Sequence, residues 1–74
     1  MNVIKIDPEI MGGTPCFNGT RVPVAMFFDW VADGQTTEFF LEQFPTVQRW
    51  HVQGILDLAK RDIVSHAQRE SVSA

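Results

Sequence analysis

Residues 11–24, Met-Gly-Gly-Thr-Pro-Cys-Phe-Asn-Gly-Thr-Arg-Val-Pro-Val, constrain the fold more than any other part of this chain. They compress a double-glycine bend, a tight turn and a helix start into one short stretch. Asn18-Gly19 lies between the short runs Cys16-Phe17 and Arg21-Val22. Asn and Gly both tolerate the positive φ of a two-residue hairpin turn, so the spacing predicts a β-hairpin. Pro23 has φ fixed near the helical value and no N–H to leave unpaired, which suits the first turn of a helix. The chain is therefore expected to be extended before this stretch and helical after it.

Val3, Ile4 and Ile6 predict a short strand within residues 2–6, ended by Asp7-Pro8. Gly12-Gly13 is followed by Thr14-Pro15 and a turn rather than by a helix. It reads as a bend, not a phosphate-binding loop. A first helix is predicted over 23–32, stopped by Asp33-Gly34. Val24, Phe27, Phe28 and Val31 form its core stripe at i, i+3, i+4 and i+7. Met26 and Trp30 make a second apolar pair that needs its own cover. Either a second copy of the chain or the N-terminal hairpin can supply that cover.

Thr36-Thr37 offers a hydroxyl cap for a short helix over 38–44, with Phe40, Leu41 and Phe44 turned inward and Pro45 ending it. A long third helix begins between residues 46 and 48 and reaches about residue 68. Its core stripe is Val52, Ile55, Leu56, Ala59 and Ile63, with Arg49, Gln53, Asp57 and Lys60 on the wetter face. Asp57 and Arg61 are spaced for an ion pair. The expected organisation is one domain over 1–68, with strand and hairpin over 1–22 and helices over 23–68, followed by a flexible tail over 69–74. The fold class is mainly α: an N-terminal strand and β-hairpin, then a three-helix, helix-turn-helix bundle.

Several of these residues together resemble a known family. Asp7-Pro8-Glu9-Ile10, Gly12-Gly13-Thr14-Pro15, the run from Asn18 through Val24, and Phe44-Pro45-Thr46 are similar to the domain-of-unknown-function family 433 (DUF433). The resemblance covers roughly residues 3–64. It implies a homeodomain-like fold and a VapB-like antitoxin, the partner of a PIN-like ribonuclease toxin. Relatives begin the third helix with Ser or Thr, then Arg, then an acidic residue. Here Gln48 takes the hydroxyl position and Trp50 the acidic one, so loss of the cap is expected to move the helix start back toward Thr46.

With 74 residues the chain holds one small core, and a lone monomer of this size is marginally stable. One cysteine, Cys16, allows no internal disulfide. No signal-peptide pattern and no membrane-length apolar run is visible, so a cytoplasmic protein is expected. Net charge is −3 but unevenly spread. Residues 1–45 set Lys5 and Arg21 against six carboxylates, a net of −4, whereas residues 46–74 carry +1. An acidic total does not exclude DNA binding, which depends on local phosphate neutralisation.

Three surfaces are candidates for function. In a helix-turn-helix unit the second helix of the pair offers its first residues to the major groove, here Gln48, Arg49 and Gln53, with His51 as an addition. On an exposed helix the same side chains are also ordinary surface residues. Met26 and Trp30 are the candidate contact of a symmetric homodimer. Trp50, Ile63, Val64 and Arg69 are candidates for holding a protein partner, Arg69 by pairing with carboxylates of a nuclease site. No cofactor and no metal are expected. Neither a nucleophile–base pair nor a ligand cluster has the required spacing, so no enzymatic activity is predicted. Two functions compete: an antitoxin that binds operator DNA and a ribonuclease toxin, or a homodimeric protein-interaction module that never touches DNA.

Overall fold

The computed structural model describes the backbone of residues 2–73 and the side chains of residues 2–70. Its elements are β1 (Ile4–Lys5), a 3-10 turn (Met11–Gly13), β2 (Cys16–Phe17), α1 (Val24–Ala32), α2 (Thr37–Gln43) and α3 (Arg49–Ser73). The molecule is mainly α, with a small antiparallel sheet at its N-terminal end.

The sheet differs from the expected hairpin in its pairing and in its turn. Cys16–Phe17 form their ladder with β1, pairing Ile4 with Phe17 and Lys5 with Cys16. On the other side only an isolated Cys16–Pro23 bridge forms. The turn after β2 is also looser than a two-residue hairpin. Gly19 has φ +82°, but Asn18 is not among the positive-φ residues. A positive φ at the third position alone is the type II pattern. Phe17 N–H then reaches the Val22 carbonyl (3.0 Å) across a four-residue loop. The buried Thr20 hydroxyl closes this loop by donating to the Phe17 carbonyl (2.9 Å) and accepting from Val22 N–H (3.0 Å). Before β2, Met11, Gly12 and Gly13 all take positive φ, which makes the double-glycine bend a left-handed turn.

The helices start and stop for local reasons. Pro23 precedes α1 as its N-cap. The C-terminal end of α1 closes with Gly34 N–H on the Val31 carbonyl and Gln35 N–H on the Trp30 carbonyl, a Schellman pair. Thr36 caps α2 by accepting from Phe39 N–H (3.1 Å). At α3 the expected shift toward Thr46 does not occur. Gln48 is the capping residue, its carbonyl accepting from His51 N–H (3.0 Å), and His51 Nδ1 reaches back to Gln48 N–H (3.0 Å). A side chain three positions inside the helix thus does what the acidic residue of a capping box does. α3 runs through Ser73, past residue 68 where the helix was expected to end.

Val3, Phe17, Val24, Phe27, Phe40, Val47, Val52 and Ile55 form the core. Phe28, Val31, Leu56 and Ile63, placed in the core by their spacing, are exposed. For α1 the cause is a cluster of aromatic rings on α2. Trp30 packs against Phe39, Phe40 and Phe44 with ring centroids 5.2 to 5.7 Å apart. That contact turns the buried face of α1 toward Met26 and Trp30 by roughly a fifth of a turn, carrying Phe28 and Val31 outward. The buried face of α3 turns similarly, toward His51 and away from Leu56.

Candidate functional site

The α2–turn–α3 segment has the order of a helix-turn-helix unit, and its connection is tight. Val47 N–H donates to the Phe44 carbonyl (2.9 Å), and Val47 is buried beneath the turn. This sets Gln48, Arg49 and Gln53 on the exposed side of the first two turns of α3. His51 is not with them. It is 3% exposed, and both ring nitrogens are occupied, Nδ1 by Gln48 N–H and Nε2 by the Asn18 carbonyl (2.8 Å). The reading that adds His51 to the groove-facing residues is therefore corrected. Its ring packs edge-on to Phe17 and is committed to the fold.

Arg49 carries a restraint of its own. Its Nη2 donates to Glu38 Oε2 of α2 at 2.6 Å. The Arg49 hydrogen bond, and then its charge, hold the Glu38 carboxyl below its ordinary value of 4.5. Both side chains remain well exposed, so the pair is open to exchange with another anion. Trp50 is partly exposed and lies flat on the His51 ring, 3.9 Å between centroids.

Met26 and Trp30 are partly buried against the molecule's own core. Trp30 is covered in part by the rings of Phe39, Phe40 and Phe44, on and beside α2. Ile63 and Val64 are exposed, at 67% and 46%. Every residue from Lys60 to Glu70 is exposed, whereas Ile55, little more than one turn earlier, is 2% exposed. From Lys60 to Glu70 α3 thus leaves the core and stands in solvent. Leu56, Ala59, Ile63 and Ala67 follow one another at three- and four-residue steps, one continuous apolar line. Asp57–Arg61 (3.0 Å) and His66–Glu70 (2.9 Å) pair along this half, and Arg69 also makes an interaction.

The tertiary roles of two turn residues carry no sequence signal. Thr20 holds the turn, and Asn18 both donates to the Asn2 carbonyl through Nδ2 (3.0 Å) and receives His51 at its own carbonyl. A buried Thr and a half-buried Asn next to a turn glycine carry no periodic signal. Their roles follow from tertiary partners far along the chain. Among the described residues no group of three His, Cys, Asp or Glu side chains is arranged to hold a metal ion, and Cys16 is buried.

A small antiparallel sheet feeding a three-helix unit, whose last two helices are joined by a tight turn, defines a compact helix-turn-helix-type module. The chain belongs to the family of proteins of unknown function DUF433, whose model matches residues 4–59. That match ends where α3 leaves the core. A similar sequence is the uncharacterized protein y4eO of Sinorhizobium fredii (strain NBRC 101917 / NGR234), 42% identical over 45 residues. That alignment takes in 61% of this chain but only 20% of the relative, so the chain spans about a fifth of that protein's length. No solved structure matches the chain significantly. No helix among the described residues is long and apolar enough to cross a membrane.

Proposed function

We propose that this protein is the antitoxin of a type II toxin–antitoxin pair, a cytoplasmic homodimer that binds operator DNA through α3 and holds a PIN-like ribonuclease toxin. The observation that carries the reading is the exposed second half of α3. Among the described residues the last buried one of this 25-residue helix is Ile55, and an apolar line, Leu56, Ala59, Ile63 and Ala67, extends beyond the domain. An isolated helical segment of this length is marginal in water, so a partner surface is its natural complement. Gln48, Arg49 and Gln53 support operator binding, being exposed together on the first turns of the second helix of the pair.

The second reading, an interaction module without DNA binding, is favoured by one observation. Arg49, the cation nearest the start of α3, is already paired with Glu38. The presence of the domain as one fifth of a longer relative also suits a module that works attached to another. A gel-shift titration with the DNA upstream of the gene, at stated salt, separates the two. Binding that is lost in Arg49→Ala supports the antitoxin reading. Absence of a shift at low salt eliminates operator binding and leaves the interaction module. Pull-down of a PIN-like protein encoded beside the gene, lost in Ile63→Asp, tests the partner surface separately.

A further inference from the structure

A second concavity lies on the opposite face of the small sheet from Phe17. Lys5 and Cys16 are directly paired across β1 and β2, and directly opposite residues share a face. Phe17 points into the core from its own face, so Lys5 and Cys16 lie on the other one, bordered by Ile10 and by the loop after β2. Between them is a cleft of about 530 Å³, lined by Lys5, Asp7, Ile10, Cys16, Arg21, Val22 and Thr46 among others. That is within the size range of small-molecule sites, roughly 300 to 1,000 Å³.

Its charge is unexpected. Lys5 and Arg21 are the only cations in the first 48 residues, sixteen positions apart, and both line this one cleft. The same 48 residues hold six carboxylates, yet among the described residues neither the Lys5 nor the Arg21 side chain has an ion-pair or hydrogen-bond partner. In an acidic chain, two unpaired cations in one concavity are a place for an anion from outside. The Thr46 hydroxyl adds a neutral donor at the same wall. Ile10 and Val22, both partly exposed, supply an apolar surface beside these groups. Asp7 is the one carboxylate in the lining; its Oδ1 accepts from Glu9 N–H (2.9 Å), and its charge opposes a second negative group in the cleft.

We propose that this cleft binds a small organic phosphate of the nucleoside monophosphate class. The phosphate sits between Lys5 and Arg21, and the apolar body rests on Ile10 and Val22. A dianion matches two cations, and the Arg fork engages two phosphate oxygens at once. The site involves no residue of the DNA- or partner-binding surfaces and stands independently of them.

The test is an amide NMR titration of the full chain with adenosine 5′-monophosphate, inorganic phosphate and adenosine, each to about 10 mM, a range that detects millimolar affinity. Adenosine 5′-monophosphate is expected to shift amides at residues 5, 10, 16, 19–22 and 46, and to bind about tenfold tighter than inorganic phosphate. The Lys5→Gln/Arg21→Gln variant is expected to lose at least about tenfold in affinity, while Arg61→Gln leaves it unchanged. Both cleft cations are exposed, and each single variant serves if the double one does not fold. The proposal is overturned if none of these amides moves, if adenosine binds as well as its phosphate, or if removing the two cations leaves the shifts intact.

Discussion

His51 Nε2 donates to the Asn18 carbonyl at 2.8 Å, joining the turn after β2 to the first turn of α3 across 33 residues of chain. The opposite ring nitrogen accepts from Gln48 N–H, so a single buried side chain both caps α3 and locks the sheet onto it. Gln48 N–H can only donate, which assigns the ring proton to Nε2. His51→Ala leaves a part-buried carbonyl and a helix-start N–H unpaired and opens space beside Phe17. The expected loss is about 2 to 4 kcal/mol in urea unfolding. Gln at this position can accept and donate in the same two directions, and His51→Gln is expected to recover part of the loss. Equal loss in both variants would show that ring packing, not the pair of hydrogen bonds, is what matters.

This contact also explains why the fold was legible in part. The helices, the α1 stop and the Thr36 cap are local events, and each has a local sequence signal. The cap of α3 has a signal only once the histidine is known to turn back on its own helix. Gln48 and Trp50 read as a weakened start because the side chain that replaces the missing cap is His51. The core faces of α1 and α3 were misjudged by a fraction of a turn, since periodicity fixes a stripe but not the direction in which neighbours pull it. The rings of Phe39, Phe40 and Phe44 that cover part of Trp30 lie on another element, so the periodicity of α1 carries no sign of them. The candidate site was legible as residue types on exposed turns of α3, but not the Glu38 carboxylate across from Arg49, eleven residues earlier.

A methyl group at Gly54 would lie 2.3 Å from Val3 Cγ1. Val3 is buried and its β-branched side chain is stiff, so it cannot swing away cheaply. Ala is better than Gly in a helix by about 1 kcal/mol, but overpacking a core costs about 1 to 3 kcal/mol. Gly54→Ala is therefore expected to destabilise the protein despite its helix propensity. In a Val3→Ala background the same change should be neutral or stabilising. A thermal-unfolding double-mutant cycle measures this coupling, and additivity of the two changes would refute the steric account.

Glu38 and Arg49 make a pH-dependent contact with two readouts. Arg49 holds the folded-state carboxyl below its ordinary 4.5, so its contribution is present at neutral pH and disappears as pH falls below 4.5 through that lower value. In Glu38→Gln this small acid-side loss should vanish from a stability–pH profile taken between neutral and acidic pH. The substitution also releases Arg49. If α3 reads operator DNA, Glu38→Gln should tighten binding and steepen its salt dependence by about one unit, because one more cation is free to neutralise phosphate. A DNA affinity that is present but unmoved by the substitution would mean that Arg49 does not touch the duplex.

The last prediction concerns the half of α3 that stands in solvent. Residues 60–70 are all exposed, and no core packing reinforces their backbone hydrogen bonds. Amide exchange there should be fast in dilute solution, in contrast with the segment around His51, Val52 and Ile55, which is anchored in the core. Docking of a partner on Leu56, Ala59, Ile63 and Ala67 would bury this line and slow exchange along it. Protection that grows with protein concentration in the lone chain identifies the partner as a second copy. Protection that appears only when the ribonuclease is added identifies a toxin-binding helix. Ile63→Asp replaces a side chain that touches no core and should shift monomer stability by no more than about 0.5 kcal/mol, yet abolish the protection in either case. Slow exchange over residues 60–70 that persists at high dilution and in Ile63→Asp would show that the helix stands without a partner, and would remove the observation on which the proposed function rests.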